Sequence, residues 1–476
     1  MRIKEEFKKS GYFWLPSAPD KKFPGTLSIS DGGIIDLEIV ELFESVGSDS
    51  INWGSFDSEA LNWEPAFYNN FKRLVGHIET DEVTLDDSKF KEGFPNRKTG
   101  LSRSLLRVGR AFTGIKYGEN EIPRFKILVF SVDGIDEWIG QADIDVEKRV
   151  QGQHISFQHP EPVSFNLPNG MELSITFNQE RSGSMSPREE RITQRTYFKL
   201  ISQDARELND FISIVEKVIN FLCFAIGDIV CLDNMSATVD GSFQEALFQN
   251  FVRDETRMLP IGIYYLSQFY SKDKPRIGFT KLFEFEQIQD DAEGIICNWI
   301  NAHEKINPAF NLYFLATMGT QPSFEAKFLT LVTGLEIYHR RTSDEKEMGE
   351  AKFEELVKNL IENCPPGNRV WLEGRLKFAN EIVLRKRIKT LIEPFKGLFG
   401  NKKKRKKLIN RIVDTRNYLT HYDPELESRA AKGWDLQVLC QKVEVLFQLH
   451  FLQLMGFSET DMNAIIDRHI RMKLQF

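Results

Sequence analysis

Cysteine is scarce and poorly spaced for structural use: five residues, at 223, 231, 297, 364 and 440, with no Cys-x-x-Cys pair. Zinc ribbons and disulfide frameworks need paired spacings, so these thiols read as reduced core residues of a cytosolic protein. Long apolar runs are also missing. The greasiest stretch, residues 211–232, is broken by Glu216, Lys217, Asn220 and Asp228, so no membrane span is expected. The opening Met1 to Ser10 is highly charged and holds no signal-peptide core. The chain has no glycine-rich phosphate loop, no internal repeat, and no low-complexity tract beyond one lysine run. His303-Glu304 lacks a following histidine at zinc-protease spacing, and the pair Glu336/His339 has no second ExxH, which a di-iron bundle would require. No metal and no cofactor is expected.

What is present is enough for a large core: 476 residues with 41% hydrophobic content, read as two or three domains. The net charge of −7 argues against indiscriminate nucleic-acid coating, but the charge is uneven. Residues 1–90 carry 9 Lys/Arg against 17 Asp/Glu, a balance of −8, whereas residues 371–411 carry 14 against 3, a balance of +11. Such a run is commonly a solvated face. Thirty-eight phenylalanines are many, and they read mainly as core.

The first 180 residues alternate as strands do. Leu27 and Ile29, the turn Asp31-Gly32-Gly33, then Ile35, Leu37 and Ile39 read as a hairpin. Phe125, Ile127 and Val129 form a further strand. Val163 to Leu167 leads through Pro168-Asn169-Gly170 into Leu173, Ile175 and Phe177. A sandwich-like β domain is expected over 1–180, with His154 and His159 as surface or loop residues. Gln179 to Glu190 reads as an exposed loop or linker. After a short strand at Thr196 to Ile201, residues 190–300 read as a mixed, mainly helical extension beginning with a helix over 205–226. Residues 305–476 read as an all-α bundle with helices at 323–341, 353–361, 375–392, 405–421 and 436–455, and a last one after Ser458. The fold class is α+β.

Within the fourth of those helices, Ile409, Ile412, Val413 and Leu419 have the spacing of an apolar stripe. Arg416 falls on it, where an unpaired guanidinium would be costly, so a partner is expected. Asn417 and His421 are four apart and share a face, and Asp423-Pro424 should end the helix with His421 in its last turn. Metal-free RNA cleavage needs a base for the ribose 2′-hydroxyl, an acid for the leaving 5′-oxygen, and a cation for the phosphorane. Histidine and arginine supply those functions. One histidine cannot easily do both proton transfers, so the chemistry suggests a homodimer or higher homo-oligomer.

The run Arg416-Asn417-Tyr418-Leu419-Thr420-His421, the segment Phe324 to Arg341 (FEAKFLTLVTGLEIYHRR), the opening Gly11 to Pro16 (GYFWLP) and Phe125 to Gly140 together resemble ApeA, a family of anti-phage defence proteins with a HEPN ribonuclease domain behind a large amino-terminal domain. The resemblance implies a metal-independent endoribonuclease, dimeric at its active site, held inactive until a phage-encoded trigger and then cutting RNA, with transfer RNA as the implied target. Arg416 and His421 carry over as the catalytic pair, with Asn417 as the intervening polar residue. Glu336 matches the family's acidic residue on an earlier helix. It either orients Arg416 or makes a local pair with Arg340. Beside such a site the basic run reads as an RNA grip: Lys402, Lys403, Lys404, Arg405, Lys406 and Lys407, with Arg385 and Arg387. The alternative is a non-catalytic HEPN module that binds RNA or protein, the β-rich domain being the recognition part.

Overall fold

The computed structural model describes residues 1–4, 7–40, 70–79, 81–94, 103–140, 144–149, 152–157, 160–183, 190–239, 260–278, 281–319 and 323–474. It divides into two compact units, Met1–Glu293 and Gly294–Phe476.

The first unit is built on a thirteen-stranded sheet of described residues. Strands β1 (Phe7–Trp14), β2 (Phe23–Ser30), β3 (Ile34–Val40), β4 (Asn70–Ile78), β5 (Asp81–Phe94) and β6 (Arg103–Val108) close on themselves: β4 pairs with β1 and β5, and β6 pairs with both β3 and β5. The expected sandwich is therefore a six-stranded barrel. Alternation predicts both architectures equally, because each puts every second side chain in a core. Closure is decided by β5, whose first half pairs with β7 (Arg110–Thr113) and whose second half turns to pair with β6 past an irregularity at residues 90–92. Alternate residues such as Leu27, Ile29, Ile35 and Leu37 fill the barrel. The β2–β3 hairpin has the expected register, Ile29 opposite Ile35, with Gly32 and Gly33 at φ 102° and 81° in a turn that β-carbons would strain.

From β7 the sheet continues as an open arm through β15 (Ile261–Tyr265), β14 (Leu232–Thr238), β8 (Arg124–Val132), β13 (Glu190–Glu207), β12 (Met171–Gly183) and β11 (Val163–Asn166). A separate hairpin joins β9 (Ile144–Arg149) to β10 (Gly152–Phe157), where His154 sits; His159 lies outside the described residues. Two expectations differ here. The described residues of the stretch expected as a linker, 179–183 and 190, are strand, for β12 and β13 pair without interruption from Met171↔Ser202 to Gly183↔Glu190; residues 184–189 lie outside the described residues. The 190–300 segment holds one long helix before residue 292 among the described residues, α2 (Leu208–Ile226), and its neighbours are strands β13, β14 and β15. Neither β14, LDNMSAT, nor the five-residue β15, IGIYY, carries a clear two-residue period, so the single sequence does not mark them as strands. A short helix α1 (Ile135–Ile139) contributes Trp138, whose ring packs edge-on to Phe221 and Phe285 and whose Nε1 donates to the Phe283 carbonyl at 2.9 Å. The abundant phenylalanines are used in this way, as core.

The second unit is helical. It opens with α3 (Ala292–Thr317), bent at Ile306 two residues before Pro308, whose missing N–H and bulky ring break the helical ladder. Next come α4 (Phe324–Thr342), α5 (Glu350–Glu362), α6 (Arg369–Leu376), α7 (Leu384–Ile392), α8 (Lys402–His421), α9 (Gly433–Met455) and α10 (Glu459–Ile465), with a last helical turn α11 (Arg471–Leu474). The α+β class holds. The single helix expected over 375–392 is two, α6 and α7, because Glu381 and its neighbours are held extended by ties to the α4–α5 connection: Asn380 accepts from the Glu347 and Met348 amides. In the core, α4 lies against α9, and Gly334 permits the approach: a β-carbon there would come within 2.8 Å of the Phe447 ring. Deeper in α9, His450 is packed between the Tyr338 and Phe395 rings and donates from Nε2 to the Leu391 carbonyl at 2.9 Å.

Gly334→Val should cost about 1–3 kcal/mol through overpacking against Phe447, whereas Gly374→Ala on α6, with open space around it, should stabilise by up to about 1 kcal/mol. Denaturant melts of the two variants check this. Burial lowers the His450 imidazole from its ordinary 6.5 to about 4. The unfolded chain then binds that proton more readily, so stability falls as pH drops below about 6.5 and the loss is complete near 4, on the order of 3 kcal/mol. Melting temperature measured across that window should decline, and less steeply for His450→Gln.

Candidate active site and basic cleft

Helix α8 builds the site from both of its ends. Asn401 caps its start, accepting from the Lys404 amide at 3.0 Å, and the first turns are then entirely basic where the helix dipole is already positive. Only Ile409, Ile412, Val413 and Thr415 are buried. The helix stops at His421 because Tyr422 turns left-handed (φ 50°) and Asp423-Pro424 begins a new 3-10 turn, with the Asp423 side chain accepting from the Glu425 amide at 3.0 Å. The following loop is tied back: the Ala431 amide donates to Thr415 Oγ1 at 2.9 Å, and Arg411 donates to the Arg429 carbonyl and to Asp435. His421 is exposed in this fixed last turn.

Arg416 is half-buried, and the partner expected for it is its own neighbour, since Nη1 donates to Asn417 Oδ1 at 3.3 Å. Among the described residues no carboxylate lies within ion-pair distance of Arg416. Glu336 takes the local option instead: its Oε1 accepts from Arg340 at 3.1 Å. The orienting contact to Arg416 is absent because Arg340 bridges Glu336 to Glu381, which also accepts from Lys346 and Arg387. Three cations, Lys346 foremost, hold the Glu381 carboxyl below its usual range. Beside the pair stand two aromatics, the half-buried Tyr418 and the exposed Tyr422, with ring centroids 5.5 Å apart and Lys432 over the Tyr418 ring at 5.2 Å.

The basic residues expected to grip RNA separate into groups. Lys403, Lys404 and Lys407 are exposed on α8. Lys402, Arg405 and Lys406 line one wall of a cleft of about 650 Å³ between α8 and α7, and Arg385 lines the other. Arg387 does not belong with them. It is 2% exposed, bonded to the Ile382 carbonyl, to Glu381 at 2.8 Å and to His339 Nδ1 at 3.2 Å, so it is a structural cation joining α4 to α7. Because arginine only donates, His339 Nδ1 accepts and its proton sits on Nε2, which has no partner among the described residues. Burial, then the neighbouring Arg387, lowers the His339 imidazole. Charge concentration is felt further along: burial first, then Lys404, lowers the Lys442 ammonium. Sequence reasoning passed over Lys389 and Asn410, which also line the cleft; the signal was present in α7, where Arg385 and Lys389 are four apart and Ile388 faces the core. Among the described residues no group of three or more metal-binding side chains converges, and no helix is long and apolar enough to cross a membrane.

The helical unit that carries this arginine/histidine helix is matched over residues 329–461 by the description Apea-like HEPN, which makes it a HEPN domain. Residues 8–299 match ApeA N-terminal domain 1, so the chain belongs to the ApeA family of HEPN-domain defence proteins. No curated protein and no solved structure matches the chain.

Arg387→Met should lower stability by about 2–3 kcal/mol by leaving Glu381 and His339 short of a partner. Lys403→Glu should raise it by about 0.3–1 kcal/mol by complementing the helix dipole. Urea titration of both variants distinguishes a structural cation from a surface one.

Proposed function

We propose that the protein is a metal-independent endoribonuclease of anti-phage defence, with His421 transferring protons, Arg416 stabilising the phosphorane charge and Asn417 orienting the arginine. The observation that carries this reading is an Arg416 guanidinium free of any carboxylate among the described residues, five positions from an exposed histidine in a HEPN domain. An arginine kept only for stability would be expected to hold an acid, as Arg387 holds Glu381. A structural role is also harder to assign to a histidine that is solvent-exposed.

One chain offers a single His421 for two proton transfers, and Glu336 is occupied elsewhere. Both points support a site completed by a second copy, as a homodimer or higher homo-oligomer. The family supports RNA as the substrate and, more narrowly, transfer RNA. The β-rich unit is assigned to sensing a phage-encoded trigger or restraining the nuclease. In the reaction, the 2′-hydroxyl loses its proton to one histidine and attacks the adjacent phosphorus, and the 5′-oxygen leaves with a proton from the second. The products are a 2′,3′-cyclic phosphate and a 5′-hydroxyl.

Purified protein incubated with total RNA in EDTA, with and without phage lysate, should yield discrete fragments bearing those ends. His421→Ala and Arg416→Ala should each reduce cleavage by roughly 10²–10⁴-fold while keeping the wild-type melting temperature. Failure to cut under every condition, with the assembly intact, sinks the proposal.

A further inference from the structure

We infer that the cleft between α7 and the first half of α8 is a second RNA site, which holds a nucleotide of the substrate at a distance from the nucleotide being cut. The inference deepens the ribonuclease reading and rests on it for the identity of the ligand. Its volume of about 650 Å³ is that of a small-molecule site. Its walls divide by chemistry. Ile392 and Ile409 are buried at 1% and 8% exposure and form an apolar floor, with the exposed Val383 at the mouth. The rim is cationic, and its cations are not equally available. Arg385 is engaged by Asn410 and Asp414, Lys386 by Glu345 and Glu347, and Arg405 by the Gly400 and Lys396 carbonyls. Lys389, Lys402 and Lys406 have no hydrogen-bond or ion-pair partner among the described residues, and the one acid in the lining, Glu393, is occupied by Lys396 at 3.0 Å. Three free ammonium groups above an apolar floor suit a phosphorylated nucleoside, with phosphate on the lysines and base against the isoleucines.

Helix geometry links this cleft to the cutting end. At about 100° per residue, Lys402, Lys406, Asn410, Asn417 and His421 fall within an arc of about 100° on α8, which Arg416 borders and the buried Val413 interrupts between the two ends. Lys406 precedes Arg416 by ten residues, or about 15 Å of helix. A strand lying along that face would meet the lysines first and the Arg416/His421 end several nucleotides away. The same phosphorylated-nucleoside chemistry could come from a free nucleotide; the 15 Å alignment with the catalytic end favours RNA.

The test uses the full-length His421→Ala protein, which keeps RNA intact, photocrosslinked to 5-iodouridine-labelled transfer RNA and mapped by mass spectrometry. Crosslinks are expected on peptides of α7 and residues 402–410, and should fall at least tenfold in a Lys389→Glu/Lys406→Glu variant whose melting temperature is unchanged. Crosslinks confined to other surfaces overturn the second site while leaving the nuclease reading intact. Crosslinks in the cleft from a protein whose wild type never cuts overturn the nuclease reading and leave the RNA site standing. Displacement of the RNA by ATP at equal concentration would assign the cleft to a free nucleotide and overturn the inference. In cleavage assays the double variant should raise KM for long RNA roughly tenfold, and by a clearly smaller factor for a dinucleoside monophosphate, which has no second phosphate to bind. Equal loss on both substrates would show general charge attraction only and would also overturn it.

Discussion

A helix of twenty residues anchored by four of them is the constraint on which the carboxy-terminal unit depends. Ile409, Ile412, Val413 and Thr415 span less than two turns in the middle of α8, so both ends project beyond the core they hold. Burying those side chains contributes roughly 1.5–3 kcal/mol for each aliphatic one, and the Ala431 amide on Thr415 fixes the loop that follows. The basic start and the arginine/histidine finish are thus carried on one rigid rod. Neither end needs its own fold.

Electrostatics sorts the neighbouring charges into those that build and those that are left over. Glu381 gathers Lys346, Arg340 and Arg387, and through Arg340 it also occupies Glu336. The hub fastens α4 to α7 at a point where the chain between α6 and α7 is not helical, and it uses up the acids near the site. Arg416 and three of the cleft's lysines, Lys389, Lys402 and Lys406, form no ion pair among the described residues. That is the condition under which cations are available to phosphate, because a paired cation must first give up its acid.

The parts of this architecture that were legible in the sequence are those set by local rules. The hairpin at Gly32-Gly33, the pairing of Val163 with Ile175 and the finish of α8 at His421 follow from turn chemistry, alternation and capping, all short-range. Barrel closure was not legible, because it depends on β5 changing partners halfway, and no periodicity records which strand a strand meets. Strands β14 and β15 were missed because neither carries a clear two-residue period and the long helix before them favoured a helical reading. Arg387 was misassigned for a related reason: in a run of +11 a buried arginine looks like its exposed neighbours, and only the fold shows that Glu381 and His339 face it. The Arg416/His421 pair was visible since both lie on one helix, whereas the company of Glu336 was a matter of tertiary competition that two equally good local options could not decide.

The continuity of α8 also bears on how such a protein can change over evolutionary time. Insertion or deletion of a single residue between Asn410 and Arg416 would turn one end relative to the other by about 100° and bury a polar position in place of Val413. Substitutions can alter the basic start or the arginine/histidine end separately, but changes of length cannot. The spacing between the lysine run and the arginine/histidine pair should therefore drift only in steps near a whole number of turns, and loops, which tolerate insertion, should absorb the rest.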